Sequence, residues 1–136
     1  MSTRSRIGIQ LEDGSVLSAY HHWDGYPEWL GRVLLRHYNS YDKAKALIDG
    51  GDMSSAWTTD RWDDSADGTK LPQYYSQRGE DCPPREDSNQ TAYLKDGEQY
   101  AYLFTGGEWT CFELHQFDDS KGPELVPIPP PTEEFE

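Results

Sequence analysis

The chain has 136 residues, of which 35% are hydrophobic and 13% aromatic, and it carries a formal net charge of −13. This length suits a single domain, and the aromatic content excludes a wholly disordered chain, which would contain few aromatics. The charge argues against nucleic acid and anionic membranes as direct partners, because both are negatively charged. No apolar run approaches the ~20 residues that span a bilayer, and the first residues lead into a strand pattern instead of a signal peptide.

The charge is distributed unevenly along the chain. Residues 1–50 hold six basic and six acidic groups, so the whole net charge of −13 comes from residues 51–136. An acidic surface steers basic partners towards itself, whereas many acidic proteins carry such charge only for solubility. Both interpretations of the acidic second half stay open at this point.

The first predicted element is a β-hairpin over residues 6–21. Alternating runs flank Asp13-Gly14, and Asp-Gly between such runs is a strong hairpin signal. A two-residue turn places Leu11 opposite Val16 and Ile7 opposite Tyr20. The side chains predicted on one apolar face are those of Ile7, Ile9, Leu11, Val16 and Tyr20, and the opposite face carries Arg6, Gly8, Gln10, Leu17, Ala19 and His21.

Two helices are predicted after the hairpin. Apolar residues at a spacing of three or four predict an amphipathic helix over residues 27–39, with Pro27 at its first position. Gly31 predicts that a bulky group such as an indole packs against the helix backbone there. Ser40 is the predicted cap of a second helix, Tyr41 to Asp49, whose end is marked by two glycines.

The sequence of the second half predicts loops followed by a three-stranded meander. Short strands are predicted at 54–58 and 71–76, and loops at 60–68 and 79–88 make this region a candidate binding surface. The predicted meander consists of Ala92–Lys95, Glu98–Thr105 and Glu108–His115. Both faces of the meander are predicted to be fairly apolar, and one of them is lined by Tyr93, Tyr100, Tyr102, Phe104, Trp109 and Cys111. Cys82 and Cys111 lack metal-binding spacing, so reduced thiols are expected.

Together these elements predict an α+β fold. The sheet is mostly antiparallel, made of the N-terminal hairpin and the C-terminal three-stranded meander, with two helices packed on one face. We expect a single α+β domain over residues 1–120 and a Pro-rich, acidic C-terminal tail over residues 121–136. The tail either lies on the domain through Leu125, Val126 and Ile128 or waits for a partner.

The hairpin-to-helix turn is the predicted working surface. Exposed aromatics there would supply contact area at little entropic cost, whereas the alternative places Tyr26 and Trp29 in the core. His21 and His22 are expected to point to opposite sides of the strand. The candidate binding residues are His21, His22, Trp23, Asp24, Tyr26, Trp29, Arg32, Trp62, Asp63 and Asp64.

Motifs for chemistry are absent or incomplete. Asp63-x-Ser65-x-Asp67-Gly68 begins like a calcium loop, but Tyr74 stands where the bidentate Glu is required. The sequence contains no H-E-x-x-H, P-loop, G-x-S-x-G or G-x-G-x-x-G pattern. We therefore predict no metal, no cofactor and no catalytic residue, while a hydrolase that uses His21, His22 and Asp24 stays an alternative.

Five segments of the chain form a distinctive set: Ser5-Arg-Ile-Gly-Ile-Gln, Tyr20-His-His-Trp-Asp-Gly-Tyr-Pro-Glu-Trp-Leu-Gly, Leu34-Leu-Arg-His-Tyr-Asn, Asp49-Gly-Gly-Asp-Met-Ser-Ser and His115-Gln-Phe-Asp-Asp. These segments resemble a family of small proteins encoded by tailed bacteriophages, cyanophages in particular. Their H-W-D-G-Y-P core is distinctive. The resemblance implies a phage protein acting in the host cytoplasm and assigns no activity or catalytic residue.

Two binding hypotheses follow. The first is a non-enzymatic protein that inhibits or sequesters a host factor, for host takeover or counter-defence, by contacting a host protein through the acidic surface; a nucleic-acid-binding protein would be a suitable target. The alternative is a sponge for a nucleotide-like host signal, held in an aromatic cleft with Arg6, Arg32 or Arg36 contacting phosphates. Neither hypothesis involves direct contact with nucleic acid or membrane.

Overall fold

The computed structural model describes residues 3–58, 70–95, 98–115, 120 and 122–130. The strands are β1 Ser5–Gln10, β2 Val16–His21, β3 Met53–Thr58, β4 Leu71–Tyr74, β5 Arg85–Asp87, β6 Tyr100–Thr105, β7 Glu108–Glu113 and β8 Glu124–Val126. A π-helical turn, Pro27–Gly31, leads directly into helix α1, Arg32–His37, which is followed by α2, Tyr41–Asp49, and α3, Gln90–Lys95. A 3₁₀ turn at Tyr75–Arg78 follows β4.

The described strands form a single sheet in the order β4-β3-β2-β1-β6-β7-β8, with β5 pairing beside β2. Most neighbours run antiparallel, while β1 with β6 and β2 with β3 run parallel. The α+β prediction of a mostly antiparallel sheet with helices is confirmed. The parallel β1–β6 pair joins the N-terminal hairpin to the C-terminal strands, so the two halves of the chain share one sheet.

The N-terminal hairpin forms, but its predicted register is wrong by one residue. Ile7 lies opposite Ala19 and Ile9 opposite Leu17. The Leu11 amide donates to the Ser15 carbonyl, and Gly14 adopts a left-handed φ of 88°. This closure is the three-residue loop that ends in a left-handed glycine, not the two-residue turn. Because of the extra loop residue, each side chain of β2 lies on the opposite face of the sheet from the one predicted, since a shift of one residue exchanges the two faces of a strand.

The helix predictions hold with one refinement. The first helix begins at Pro27 as a π-helical turn and continues as α1 to His37. The Ser40 side chain accepts a hydrogen bond from the Lys43 amide, so Ser40 caps α2 as predicted. The stripe of α2 buries Ala44, Leu47 and Ile48 against the sheet. Helices α1 and α2 therefore cover one sheet face.

The prediction of a strand over residues 92–95 is wrong, because this segment belongs to helix α3. Tyr93 consequently leaves the aromatic face assigned to it and packs with Val16, Ala101 and Leu103 on the other side of the sheet. Its hydroxyl donates to the Tyr102 carbonyl at 2.7 Å. The other members of the predicted face, from Tyr100 to Cys111, do share the main core or pack against it.

The predicted loop over residues 79–88 contains strand β5, which pairs with β2 at Val16, Leu17 and Ser18. The strands predicted around residues 54–58 and 71–76 are present as β3 and β4. Cys82 and Cys111 are not joined in a disulfide. The predicted loop 60–68, with the candidate residues Trp62, Asp63 and Asp64, lies outside the described residues.

The C-terminal segment lies on the domain. We name residues 122–130 the C-terminal strap. Its strand β8 pairs with β7, and Val126 and Ile128 pack against the core, while Leu125 is 64% exposed. The bulky group that the sequence predicts over Gly31 is the side chain of Ile128, not an indole. Among the described residues, no helix is both long enough and apolar enough to cross a membrane.

Candidate functional site

His21, the last residue of β2, and His22, which follows it, have different surroundings. His21 is fully buried, and its Nε2 accepts a hydrogen bond from the Ala56 amide at 3.0 Å. Burial and then the neighbouring His22 lower the pKa of His21 to about 3, so its ring is neutral at physiological pH. The Nδ1 atom has no hydrogen-bond partner among the described residues. His21 is therefore a core residue that tethers β3 to β2.

His22 lies nearer the surface, beside aromatic groups. Its Nδ1 is 2.7 Å from the Tyr20 hydroxyl, and its ring meets the Trp23 ring edge-on at 4.6 Å. Burial and the charge of Arg4 lower the pKa of His22. The contacts of His22 are thus separate from those of His21, as alternation along a strand predicts. Among the described residues, His21, His22 and Asp24 do not form a group that could hold a metal ion.

The remaining predicted aromatics divide between surface and core. Trp23 is 50% exposed, whereas Tyr26 and Trp29 are half-buried and Trp29 packs against the core. The rings of Trp29 and His21 lie 6.0 Å apart. Trp23 is therefore the aromatic of this turn that is most available to a partner.

The arginines expected to contact phosphates differ in burial and in hydrogen bonding. Arg6 is only 7% exposed and donates to the Ser18 hydroxyl and carbonyl. Arg32 is half-buried, with no hydrogen-bond partner for its Nε atom among the described residues, and Arg36 is exposed on α1. The three guanidinium groups thus occupy three different environments.

The sheet register brings distant residues to the same end of the sheet as this turn. His21 pairs with Ser5, Ser5 with Tyr100, Tyr100 with Glu113, and Glu113 with Glu124. Beyond this row the chain folds back, because the Gly25 amide donates to the Thr3 carbonyl and the Tyr102 hydroxyl donates to the Gly25 carbonyl at 2.6 Å. We name the resulting surface the acidic edge. It consists of Trp23, Asp24, Glu28, Tyr100, Glu113 and Glu124.

Carboxylates raise the pKa values of a tyrosine and a cysteine at this end of the sheet. Burial raises the pKa of Tyr100, and the carboxylates of Glu113 and Glu28 raise it further. Burial also raises the pKa of the Cys111 thiol, to about 12, with Glu28 and Glu113 contributing in the same direction. Glu28 and Glu113, which are far apart in the chain, therefore both raise the pKa values of Tyr100 and Cys111. At this end of the sheet, negative charge is concentrated around tyrosine and cysteine groups that stay protonated.

Backbone conformation also distinguishes this end of the molecule. Asp24 and His115 are the non-glycine residues with positive φ in the described part of the chain, at 53° and 50°. Both lie beyond the His21–Glu124 row, and His115 places its Nε2 3.0 Å from Glu124. Left-handed non-glycine residues cluster at functional sites, as do π-helical turns such as Pro27–Gly31. All three features lie at the acidic edge or directly beside it in the chain.

Comparison of the chain with family models, with curated proteins and with solved structures finds no match. The site therefore has to be interpreted from its own geometry. In the described ranges no three His, Cys, Asp or Glu side chains are grouped so that they could hold a metal ion.

The sequence identified two of the six residues of the acidic edge. Trp23 and Asp24 were among the predicted binding residues, whereas Glu28, Tyr100, Glu113 and Glu124 were not. Glu28 could have been predicted from the sequence, because it follows Pro27 within the aromatic-rich turn. Glu113 and Glu124 join the site through strand pairing across β6, β7 and β8, for which no local pattern exists.

Proposed function

We propose that this protein is a non-enzymatic binding protein that holds a basic macromolecular partner against the acidic edge. The observation that carries the proposal is that one end of the sheet carries both a half-exposed tryptophan, Trp23, directly after β2, and four carboxylates, those of Asp24, Glu28, Glu113 and Glu124. Three of these carboxylates, on Asp24, Glu28 and Glu124, are exposed. Aromatic anchors supply contact energy, and complementary charge supplies orientation and association rate.

The partner in this proposal is a host protein with a positively charged surface, such as a nucleic-acid-binding protein. The resemblance to small tailed-phage proteins supports a host-directed role, in which the protein inhibits or sequesters its target in the host cytoplasm. The net charge of −13 supports the same choice, since it repels nucleic acid itself and attracts the proteins that bind it.

The test compares two variants with the same change in net charge. Glu28→Gln/Glu113→Gln/Glu124→Gln neutralises the acidic edge. Glu12→Gln/Asp42→Asn/Glu108→Gln neutralises three exposed carboxylates away from that edge, in the β1–β2 turn, on α2 and at the first residue of β7. Each immobilised protein is used to capture partners from bacterial lysate, and the captured proteins are quantified by mass spectrometry at low and high salt.

We expect the wild type and the remote variant to enrich the same basic proteins, and the edge variant to lose them. Capture by the wild type is expected to fall steeply with salt, because exposed charges are screened. Equal loss in both variants would assign the binding to net charge alone. Capture that is insensitive to salt would rule out the charge-based contact.

A further inference from the structure

A concave surface lies between α2 and strand β4. The cleft has a volume of about 320 Å³. Its lining consists of His37, Tyr38, Lys43, Ala46, Leu47, Pro72 and Tyr74. Ligand pockets in proteins start at about 300 Å³, so this cleft has room for one or two fused rings but not for a dinucleotide. It shares no residue with the acidic edge.

The aromatic walls of the cleft are held rigidly. The Tyr38 hydroxyl donates to the Ala56 carbonyl at 2.8 Å, and the Tyr74 hydroxyl donates to the Leu47 carbonyl at 2.7 Å. Burial raises the pKa of both phenols, that of Tyr74 to about 12, so both stay protonated donors. The side chains that line the cleft are already ordered in the folded protein, so binding a ligand costs little additional conformational entropy.

A stacked pair supports the wall formed by α1. The rings of His37 and Trp57 lie 3.7 Å apart with an interplanar angle of 16°. Trp57 also meets Tyr38 edge-on, with ring centroids 6.5 Å apart. Flat rings fixed in this way favour flat ligands, because aromatic groups gain energy from offset or edge-to-face contact.

The charge at the cleft comes from Lys43. Its side chain is exposed on α2 and forms no ion pair within the described part of the chain. Lys45, two residues further along the same helix, is instead bound to Asp49 at 2.9 Å. Both tyrosine hydroxyls of the cleft are already used by backbone carbonyls. The cleft thus offers flat apolar walls and one ammonium group.

We propose that this cleft is a binding site for a small planar aromatic anion, with the ring between the aromatic walls and the negative group on Lys43. An anion matches the unpaired ammonium group, whereas a cation would be repelled by it. An aromatic carboxylate and a nucleoside monophosphate both present a flat ring and a negative group. A titration with one ligand of each kind distinguishes the carboxylate from the phosphate.

The experiment is an NMR titration of the full chain with three probes: indole-3-acetate, its neutral amide indole-3-acetamide, and AMP. Binding at the cleft is expected to shift the backbone amides of Tyr38, Leu47 and Tyr74 with saturable curves. Saturation with indole-3-acetate assigns a carboxylate as the anion, and saturation with AMP alone assigns a phosphate. A neutral amide that binds as tightly as both anions would overturn the role of Lys43.

Two matched variants test the charge. Lys43→Gln is expected to weaken binding of the anion by roughly two- to fivefold, the range of an exposed ion pair, and to leave binding of the neutral amide unchanged. Lys45→Gln removes the same charge from the same helix and is expected to leave both unchanged. An equal effect of the two substitutions would assign the attraction to net charge and overturn the proposed site.

A third variant tests the place of binding independently of charge. Ala46 is exposed at the cleft, so Ala46→Trp fills the cleft from the surface and does not disturb the core. Dispersed NMR spectra confirm folding before titration. We expect Ala46→Trp to abolish saturable shifts. Shifts that persist in this variant, or that are absent from the wild type at millimolar ligand, would overturn the proposal.

Discussion

The Cγ2 atom of Ile128 lies 2.6 Å from the position that a Cβ atom on residue 31 would occupy. Gly31 ends the π-helical turn before α1, with a helical φ of −57°, so its backbone conformation does not require glycine. The requirement comes from Ile128, because the C-terminal strap places this side chain directly against the helix backbone. Gly31 and Ile128 therefore form one packing unit that connects the first helix to the end of the chain.

Gly31→Ala is expected to change the free energy of unfolding in opposite directions in two backgrounds. In the wild type the added methyl group overlaps Ile128, and overpacking costs about 1–3 kcal/mol. In an Ile128→Ala background the overlap is removed, and alanine stabilises the helix by ~1 kcal/mol relative to glycine. Urea unfolding of the four proteins gives the coupling between the two sites. Equal effects in both backgrounds would contradict the packing unit.

His21 is expected to make stability depend on pH in the acid range. Its pKa is lowered to about 3 in the folded protein, whereas an unfolded histidine has a pKa of about 6.5. The unfolded chain therefore binds a proton first as the pH falls. The stability that comes from neutral His21 is complete above about pH 6.5 and is lost progressively down to about pH 3.

His21→Gln keeps an acceptor for the Ala56 amide and removes the titrating group. Its unfolding free energy is expected to fall less steeply than that of the wild type between about pH 6.5 and 4, where one buried histidine contributes roughly 1.4 kcal/mol per pH unit. His22→Gln, at the better-solvated histidine, should retain most of the slope. Chemical denaturation at several pH values measures this, and an unchanged slope in His21→Gln would refute the assignment.

Removing the Tyr102 hydroxyl is expected to destabilise the turn that carries the acidic edge. In Tyr102→Phe the Gly25 carbonyl loses the buried donor that lies 2.6 Å away. An unsatisfied buried group costs about 1–3 kcal/mol. Hydrogen exchange should show faster opening around residues 24–28, while amides in α2 keep their protection. Uniform changes in both regions would mean that the bond does not hold the turn locally.

Gly50→Ala is expected to open the aromatic cleft. A Cβ atom at residue 50 would overlap the ring of Tyr74, which donates to the Leu47 carbonyl at 2.7 Å. The ring must move, so the substitution should lower the free energy of unfolding by about 1–3 kcal/mol and weaken binding of planar anions. Gly14→Ala serves as a contrast, because it is strained only by its φ of 88° and Gly14 does not line the cleft. If binding persists in Gly50→Ala, Tyr74 does not contribute to the binding site.

Features that depend on neighbouring residues were predictable from the sequence. The cap at Ser40, the extent of α2 and the β6–β7 hairpin all follow from side chains a few positions apart. Trp23 and Asp24 were also recognised, since turn chemistry and aromatic residues coincide there. Such patterns suffice because capping, helix periodicity and turn conformation are local interactions.

Other features were decided by the tertiary structure. The segment containing Tyr93 is short and apolar, so its pattern fits a strand as well as the helix that packs across Gly8. The faces of β2 depended on one additional loop residue beside Gly14. The acidic edge depends on strand pairing that joins Tyr100, Glu113 and Glu124 to the first half of the chain. The sequence by itself determined the local elements, and the tertiary structure decided which of them meet, because strand register and sheet order arise from contacts between residues far apart in the chain.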